Sequence, residues 1–236
     1  MLEHHGRLAY SLSMVLASIV VALLLPRRQR GLRLESTQRL GIAIGGLVGA
    51  TFAAKLPFIL GANPDTGVVA AWLSDGKTIL WGLAGGYLGV EVAKWSLHVR
   101  GRTGDSFVVP IALAVAIGRL GCLGFGCCYG QPTNQDWGVW SYPADGATLL
   151  RHPAPLYELV FHAGFAGLAA WGIAWGIAWG YLKDRWMLLY LLSYAVFRLI
   201  SESWREEPVY AWGMTFYQLS SIVIAIASGL LLIKRN

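Results

Sequence analysis

A chain of 236 residues that is 56% apolar and only 14% charged, with mean hydropathy of +0.51, is too poor in polar residues to cover a soluble domain of this size. The formal net charge of +6 does not point to nucleic acid, because the basic residues gather between apolar blocks rather than on one face. A single all-α integral membrane domain over residues 1–236 is the expected class. Helices are the default there, since the backbone must satisfy its own hydrogen bonds in hydrocarbon.

Seven apolar blocks predict seven transmembrane helices, at about 8–25, 38–60, 77–97, 106–125, 154–181, 186–204 and 213–233, each near the ~20 residues a helix needs to cross a bilayer. The first block is a poor cleavable signal peptide. It lacks a small-residue cleavage pattern before Pro26, and the heavier positive charge follows it. Arg27, Arg28, Arg30, Arg33 and Arg39 crowd the next loop, which marks that loop as cytoplasmic. The remaining loops then fall into order, with eleven Lys and Arg inside and four outside, so the N-terminus is expected outside and the C-terminus in the cytoplasm. His4 and His5 are too few for a tag or a metal site.

In the second and third blocks, Gly41, Gly45 and Gly49 share one face, and Gly82, Gly85, Gly86 and Gly89 line another, the spacing that lets two helix backbones approach closely. Lys55 and Lys94 are expected to snorkel from helix ends, with Lys94 reaching Glu91, and Asp75 to serve as a turn or N-cap. The fourth block carries Arg119 within GRLGCLGFGCCYG. Gly118 and Gly121 beside it are read as exposing backbone N–H groups to an anion. Cys122, Cys127 and Cys128 follow. They read either as free thiols packed like small hydrophobes or as Cys122 bonded to Cys127 or Cys128, since adjacent cysteines make a strained ring.

The outside loop at about 128–153 holds Pro132, Asn134, Asp136, Trp137, Trp140 and Tyr142 and reads as a lid over an outward-opening site. The fifth block begins RHPAPLYE, with His152 at the outer boundary as a base or a cap, and Glu158 and His162 one turn apart. Its WGIAWGIAWG run stacks Trp171, Trp175 and Trp179 on a lipid-facing or packing stripe. In the sixth block Tyr194, Arg198, Glu202 and Arg205 keep to one helix face within about 80°. An ionisable group in a membrane helix costs about 2.5–3.5 kcal/mol on insertion scales. The stripe is therefore either a structural ion pair or the lining of a polar cavity. If Arg119 and Arg198 share one level, two guanidiniums need an anion between them, and a phospholipid headgroup is the anion most available at that depth.

These motifs together resemble the prolipoprotein diacylglyceryl transferase family. GRLG at 118–121 with YGQPT at 129–133, HPAPLYE at 152–158, YAVFRLISESWREEP at 194–208 and DGKTILWGLAGGYLG at 75–89 stand in the family's order. The resemblance implies a multi-pass transferase of the bacterial cytoplasmic (inner) membrane that moves diacylglyceryl from phosphatidylglycerol to the thiol of a lipoprotein-precursor cysteine, or to a small thiol or other acceptor, with no cofactor. Carried over residue by residue, Arg119 and Arg198 match the family's essential arginines, Tyr194 and Glu202 its Tyr and Glu, and Tyr157 and Glu158 its L-Y-E. Arg119, Arg198 and Glu202 are thus expected to be catalytic, and Tyr194, Tyr157 and Glu158, joined by Gly118, Gly121 and Arg205 beside them, to contact substrate. The chain departs from the pattern where the family's catalytic histidine is Trp81, its asparagine after G-R-x-G is Cys122, and a glutamate is Cys127. His152 then stands as candidate base and Cys127 as a covalent or acceptor thiol. An arginine lowers a thiol pKa and burial raises it, so residue types alone leave the sign open. Two rival readings remain: a thiol redox or metal-handling protein built on Cys122, Cys127 and Cys128, and a lipid-binding relative without catalysis.

Overall fold

The computed structural model describes residues 2–60, 67–74, 76–141, 148–175 and 182–234. Asp75, Tyr142, Trp179 and Arg235 fall outside them. The described chain is helical apart from one small hairpin: α1 (Leu2–Arg28), α2 (Ser36–Leu60), α3 (Gly67–Leu73), α4 (Ile79–Ser96), α5 (Gly104–Phe125), β1 (Val139–Ser141), β2 (Leu149–Arg151), α6 (Ala154–Ala174), α7 (Trp186–Ser201) and α8 (Phe216–Lys234). Among the described residues, five segments are long and apolar enough to cross a membrane: Gly6–Arg28, Ser36–Leu60, Gly104–Phe125, Ala154–Ala174 and Phe216–Lys234. The shorter α4 and α7 occupy the positions of the expected third and sixth blocks. The chain is a multi-pass membrane protein. The α3 helix and the hairpin have no counterpart in the sequence reading, because neither is long enough to leave a periodic apolar signal.

Two compact units make up the chain, one of residues 1–30 and 104–236, the other of residues 31–103. The smaller unit is built on α2 against α4. A side chain at Gly45 would stand 2.7 Å from the carbonyl oxygen of Gly89, and one at Gly49 would run into the carbonyl oxygen of Gly85. The glycines therefore act as expected, removing side chains so that two backbones touch. The Thr78 N–H donates to the Ala54 carbonyl (3.0 Å), which fixes the entrance to α4 on the same contact. Lys94 reaches Glu91 at 3.0 Å. Lys55, rather than reaching an interface, is buried and donates to the Ser74 carbonyl just past α3, where a helix end offers carbonyls without partners.

In the larger unit α1 packs on α5, α5 on α6 and α7, and α7 on α8. Asp105, in the first turn of α5, accepts from the N–H groups of Asp184 (2.7 Å) and Trp186 (3.0 Å) and so locks the start of α7 to α5. The Trp186 ring fills the space that Gly172 of α6 leaves open. Leu8, Leu12, Val15, Leu16, Ile19 and Leu23 of α1 are exposed, as suits a face meant for hydrocarbon. Trp171 and Trp175 are exposed on α6 with ring centroids 6.2 Å apart.

Candidate functional site

Helix α6 starts at Ala154 because Pro153 and Pro155 fit a first turn whose N–H groups have no helical partner. One turn in, that start carries Glu158 into the protein interior, where it is 1% exposed. Three guanidiniums converge on its carboxylate. Arg119 of α5 pairs with Oε2, while Arg205 (2.6 Å) and Arg198 of α7 (3.5 Å) pair with Oε1. The Tyr194 hydroxyl donates to Oε2 at 3.2 Å. Arg198 also pairs with Glu202 at 2.8 Å, Glu202 accepts from the Thr215 hydroxyl at 3.0 Å, and the Arg198 guanidinium lies 5.3 Å from the Tyr217 ring centre. The i,i+4 pairing foreseen for Arg198 and Glu202 is present.

The helix itself stops at Ser201. Glu202–Trp204 tightens into a 3-10 turn and Arg205 is extended (φ −117°, ψ 147°), which lets residues 198, 202 and 205 reach inward together. Thus Arg119, Glu158, Tyr194, Arg198, Glu202 and Arg205, spread over 87 positions of sequence, form one buried cluster. Its three arginines exceed its two glutamates by one charge. Nε of Arg119 and Nε of Arg205 are buried with no hydrogen-bond partner among the described residues. A buried donor without a partner costs about 1–3 kcal/mol, more for a charged group, so each of these two nitrogens would gain from one more acceptor. The anion that the sequence reading placed between Arg119 and Arg198 is, within the chain, Glu158 itself.

Around this cluster lies an aromatic rim. His152 Nδ1 and the Tyr157 hydroxyl are 3.1 Å apart, His152 stacks on Trp204 (6.0 Å), and Trp204 meets Tyr157 edge-on (5.6 Å). The loop from 128 is tied down here. Trp137 Nε1 donates to the Tyr157 hydroxyl (3.0 Å), the Gly130 N–H to the His152 carbonyl (2.8 Å), the Gln131 N–H to the Trp204 carbonyl (2.8 Å), and Arg151 pairs with Glu206 (2.9 Å). Antiparallel pairing of Val139 with Arg151 and of Ser141 with Leu149 shapes the loop's outer half.

Gly118 and Gly121 stand apart from the charge cluster. Added side chains there would meet Met14, and Ser13 and Tyr10, so both positions admit α1 against α5. The cysteines are all free thiols. Cys122 is buried with its sulfur 3.6 Å from Arg119 Nη1, and Cys127 and Cys128 lie just beyond the helix with their sulfurs 3.6 Å apart. Hydrogen bonds with the other two thiols, with the charges of Arg119 and Arg205, pull Cys128 below the ordinary thiol value, whereas hydrogen bonds with Cys122 and Cys128, joined by burial, push Cys127 up. Burial, and next the charge of Glu202, raises the Glu207 carboxyl against the opposing pull of Arg198 and Arg205.

His162, read from the sequence as one turn beyond Glu158 but given no role, is fully buried there, shares a 2.7 Å hydrogen bond with the Tyr190 hydroxyl, and has its ring 4.5 Å from that of Tyr194. Other residues of the site escaped the sequence reading. Tyr190 stands four residues before Tyr194, and that spacing extends the stripe one turn deeper. Thr215, Tyr217 and Trp204 carried no comparable signal.

The family model described as prolipoprotein diacylglyceryl transferase matches residues 7–234. Among similar proteins is the phosphatidylglycerol–prolipoprotein diacylglyceryl transferase of Clostridium tetani, 28% identical over 84% of this chain and 81% of its own length. The protein of that name from Bordetella parapertussis is 31% identical over 80% of this chain and 71% of its length, and that from Coxiella burnetii 32% over 71% and 61%. A membrane-spanning helical chain with arginines buried at the level of an apolar bundle, matched by that family's model almost from end to end, belongs to the prolipoprotein diacylglyceryl transferase family and is a transferase.

Proposed function

We propose that this transferase takes diacylglyceryl from phosphatidylglycerol in the bacterial cytoplasmic membrane and delivers it to the thiol of a lipoprotein-precursor cysteine. One observation carries the reading. Three largely buried guanidiniums surround two carboxylates, and Arg119 and Arg205 each keep a buried Nε without a hydrogen-bond partner among the described residues. Such a cluster favours one more negative group, and a phosphate diester is the anion that a bilayer supplies. The donors named by the relatives are of that class.

In the reaction the acceptor sulfur bonds to the terminal glycerol carbon of the diacylglyceryl group. The bond from that carbon to the phosphate oxygen breaks, and glycerol phosphate leaves. Charge grows on the departing phosphate, and Arg119 and Arg198 stabilise it. Glu158 and Glu202 keep the guanidiniums aimed and prevent mutual repulsion, and the Tyr194 hydroxyl contacts the headgroup. Arg205 closes the group from the loop side. His152, oriented by Tyr157, takes the thiol proton. The loop over 128–153 acts as the lid, held through Trp137 on Tyr157.

Topology follows from charge. Seven spans, α4 and α7 included, with an outside N-terminus and a cytoplasmic C-terminus, leave eleven Lys and Arg inside and four outside. That arrangement opens the rim of His152, Tyr157 and Trp204 to the outer leaflet, where an exported precursor would be met.

The test is transfer from phosphatidylglycerol vesicles to a peptide with one cysteine, followed by the mass of the product. Arg198→Ala is expected to abolish transfer, by more than about 100-fold for a lost oxyanion-type donor, while the protein still purifies as a monodisperse species. Wild-type rates in that variant would reject the assignment.

A further inference from the structure

The end of α5 brings three sulfur atoms together in a way that phospholipid chemistry does not use. Gly126 (φ +79°) and Cys128 (φ +63°) turn the chain back on itself, and the N–H groups of Gly126 and Cys127 both donate to the Cys122 carbonyl, at 3.0 and 3.1 Å. That closed turn sets the thiols of Cys122, Cys127 and Cys128 within 4.8 Å of one another. A left-handed conformation at a non-glycine residue is uncommon, and here it is what aims Cys128 at its neighbours.

We propose that Cys122, Cys127 and Cys128 form a trigonal thiolate site for a thiophilic closed-shell cation, with monovalent copper the favoured occupant. The geometry fits. Metal–sulfur bonds of about 2.3 Å place the sulfurs of a three- or four-coordinate ion about 3.8–4.0 Å apart, within the span these atoms already occupy. Thiolate is the ligand set that selects Cu(I) and Zn(II) over harder ions. Among the described residues no histidine or carboxylate joins the three sulfurs. A structural zinc site is closed by four protein ligands, whereas Cu(I) is satisfied by three thiolates, and this decides the preference.

Electrostatics agrees. Binding exchanges three thiol protons for one cation, leaving a complex of charge −2. That complex would lie beside Arg119, whose Nη1 is 3.6 Å from the Cys122 sulfur, in a cluster where guanidiniums already outnumber carboxylates. The inference stands apart from the transferase reading and is read out without turnover.

Full-length protein in detergent is reduced with a phosphine under argon and titrated with Cu(I), and separately with Zn(II), each against a chromophoric chelator. One Cu(I) per chain is expected, with X-ray absorption at the copper edge giving three sulfur neighbours at about 2.2–2.3 Å. Cys122→Ser, Cys127→Ser and Cys128→Ser should each weaken binding by more than the roughly 10- to 100-fold typical of a disturbed outer shell. Chelator retaining all the copper, nitrogen or oxygen neighbours at the metal, or unchanged affinity in the triple serine variant would overturn the site. Zinc held more tightly than copper would overturn the choice of ion. The absorption spectrum needs no variant, so a serine variant that failed to fold would leave the test intact.

Discussion

The α2–α4 contact and the Glu158 cluster solve the same problem, fastening membrane helices together, with opposite chemistry. The first uses absence. Gly45 and Gly49 give up side chains so that backbone lies on backbone against Gly85 and Gly89, and almost nothing polar takes part. The second uses excess: three arginines, two glutamates and a tyrosine buried where each charge alone would be expensive. Packing of small residues needs no charge to hold helices in lipid, so a charge cluster of this size is not required for assembly and reads as chemistry. The two regions should therefore fail differently when altered.

The sharpest break is expected at Glu158. Removing its carboxylate in Glu158→Ala leaves three guanidiniums in contact without their shared anion, and losing one partner of a buried ion pair costs about 3–5 kcal/mol. Loss of both yield and transfer is expected, read as the fraction of monodisperse protein and the rate with phosphatidylglycerol vesicles. A stable, active Glu158→Ala would show that the carboxylate is dispensable to both. Next comes the glycine seam. Gly49→Val would drive methyl groups into the Gly85 carbonyl, and overpacking costs about 1–3 kcal/mol. Thermal stability should fall, while the specific activity of the surviving folded protein stays near wild type. Equal losses of stability and specific activity would contradict the separation of roles.

How much of this the sequence disclosed follows the same divide. Glycine spacing in α2 and α4 was legible because a period of four residues on one helix face is a local pattern, and the partner had the same pattern. Arg198 with Glu202 was legible for the same reason. What periodicity misses is convergence between elements. Glu158 lies one turn into α6, Arg119 at the far end of α5, and Arg205 beyond a 3-10 turn, and no spacing rule joins 119, 158 and 205. Residue types pointed to an anion between two arginines but not to a carboxylate of the chain itself as part of it. Gly118 and Gly121 misled in the other direction. Flanking an arginine they looked like an anion nest, yet within a helix their N–H groups are spent on the ladder and their bare faces admit α1. The hairpin of β1 and β2 was invisible, since three-residue strands carry no period.

A milder change probes the rim. Trp137→Phe keeps the aromatic body and deletes the indole donor to Tyr157, one hydrogen bond worth about 0.5–1.5 kcal/mol. If the loop is a lid, KM for phosphatidylglycerol should rise a few-fold while stability barely moves. An unchanged KM would leave the loop a cover with no part in binding.

The smallest effect belongs to Glu207, at the edge of the charge cluster. Burial, reinforced by Glu202, raises its carboxyl above the usual value of 4.5. A raised acid binds its proton more firmly in the folded chain than in the unfolded one. Stability is therefore greatest below the ordinary carboxylate value and falls as pH climbs from there to the folded value, above which the loss is complete and constant. Glu207→Gln carries no such proton, so its melting temperature relative to wild type should rise across that window and level off at neutral pH. A difference that stays flat from acid to neutral pH would mean that Glu207 feels the solvent rather than Glu202. The charge cluster would then end at residue 205.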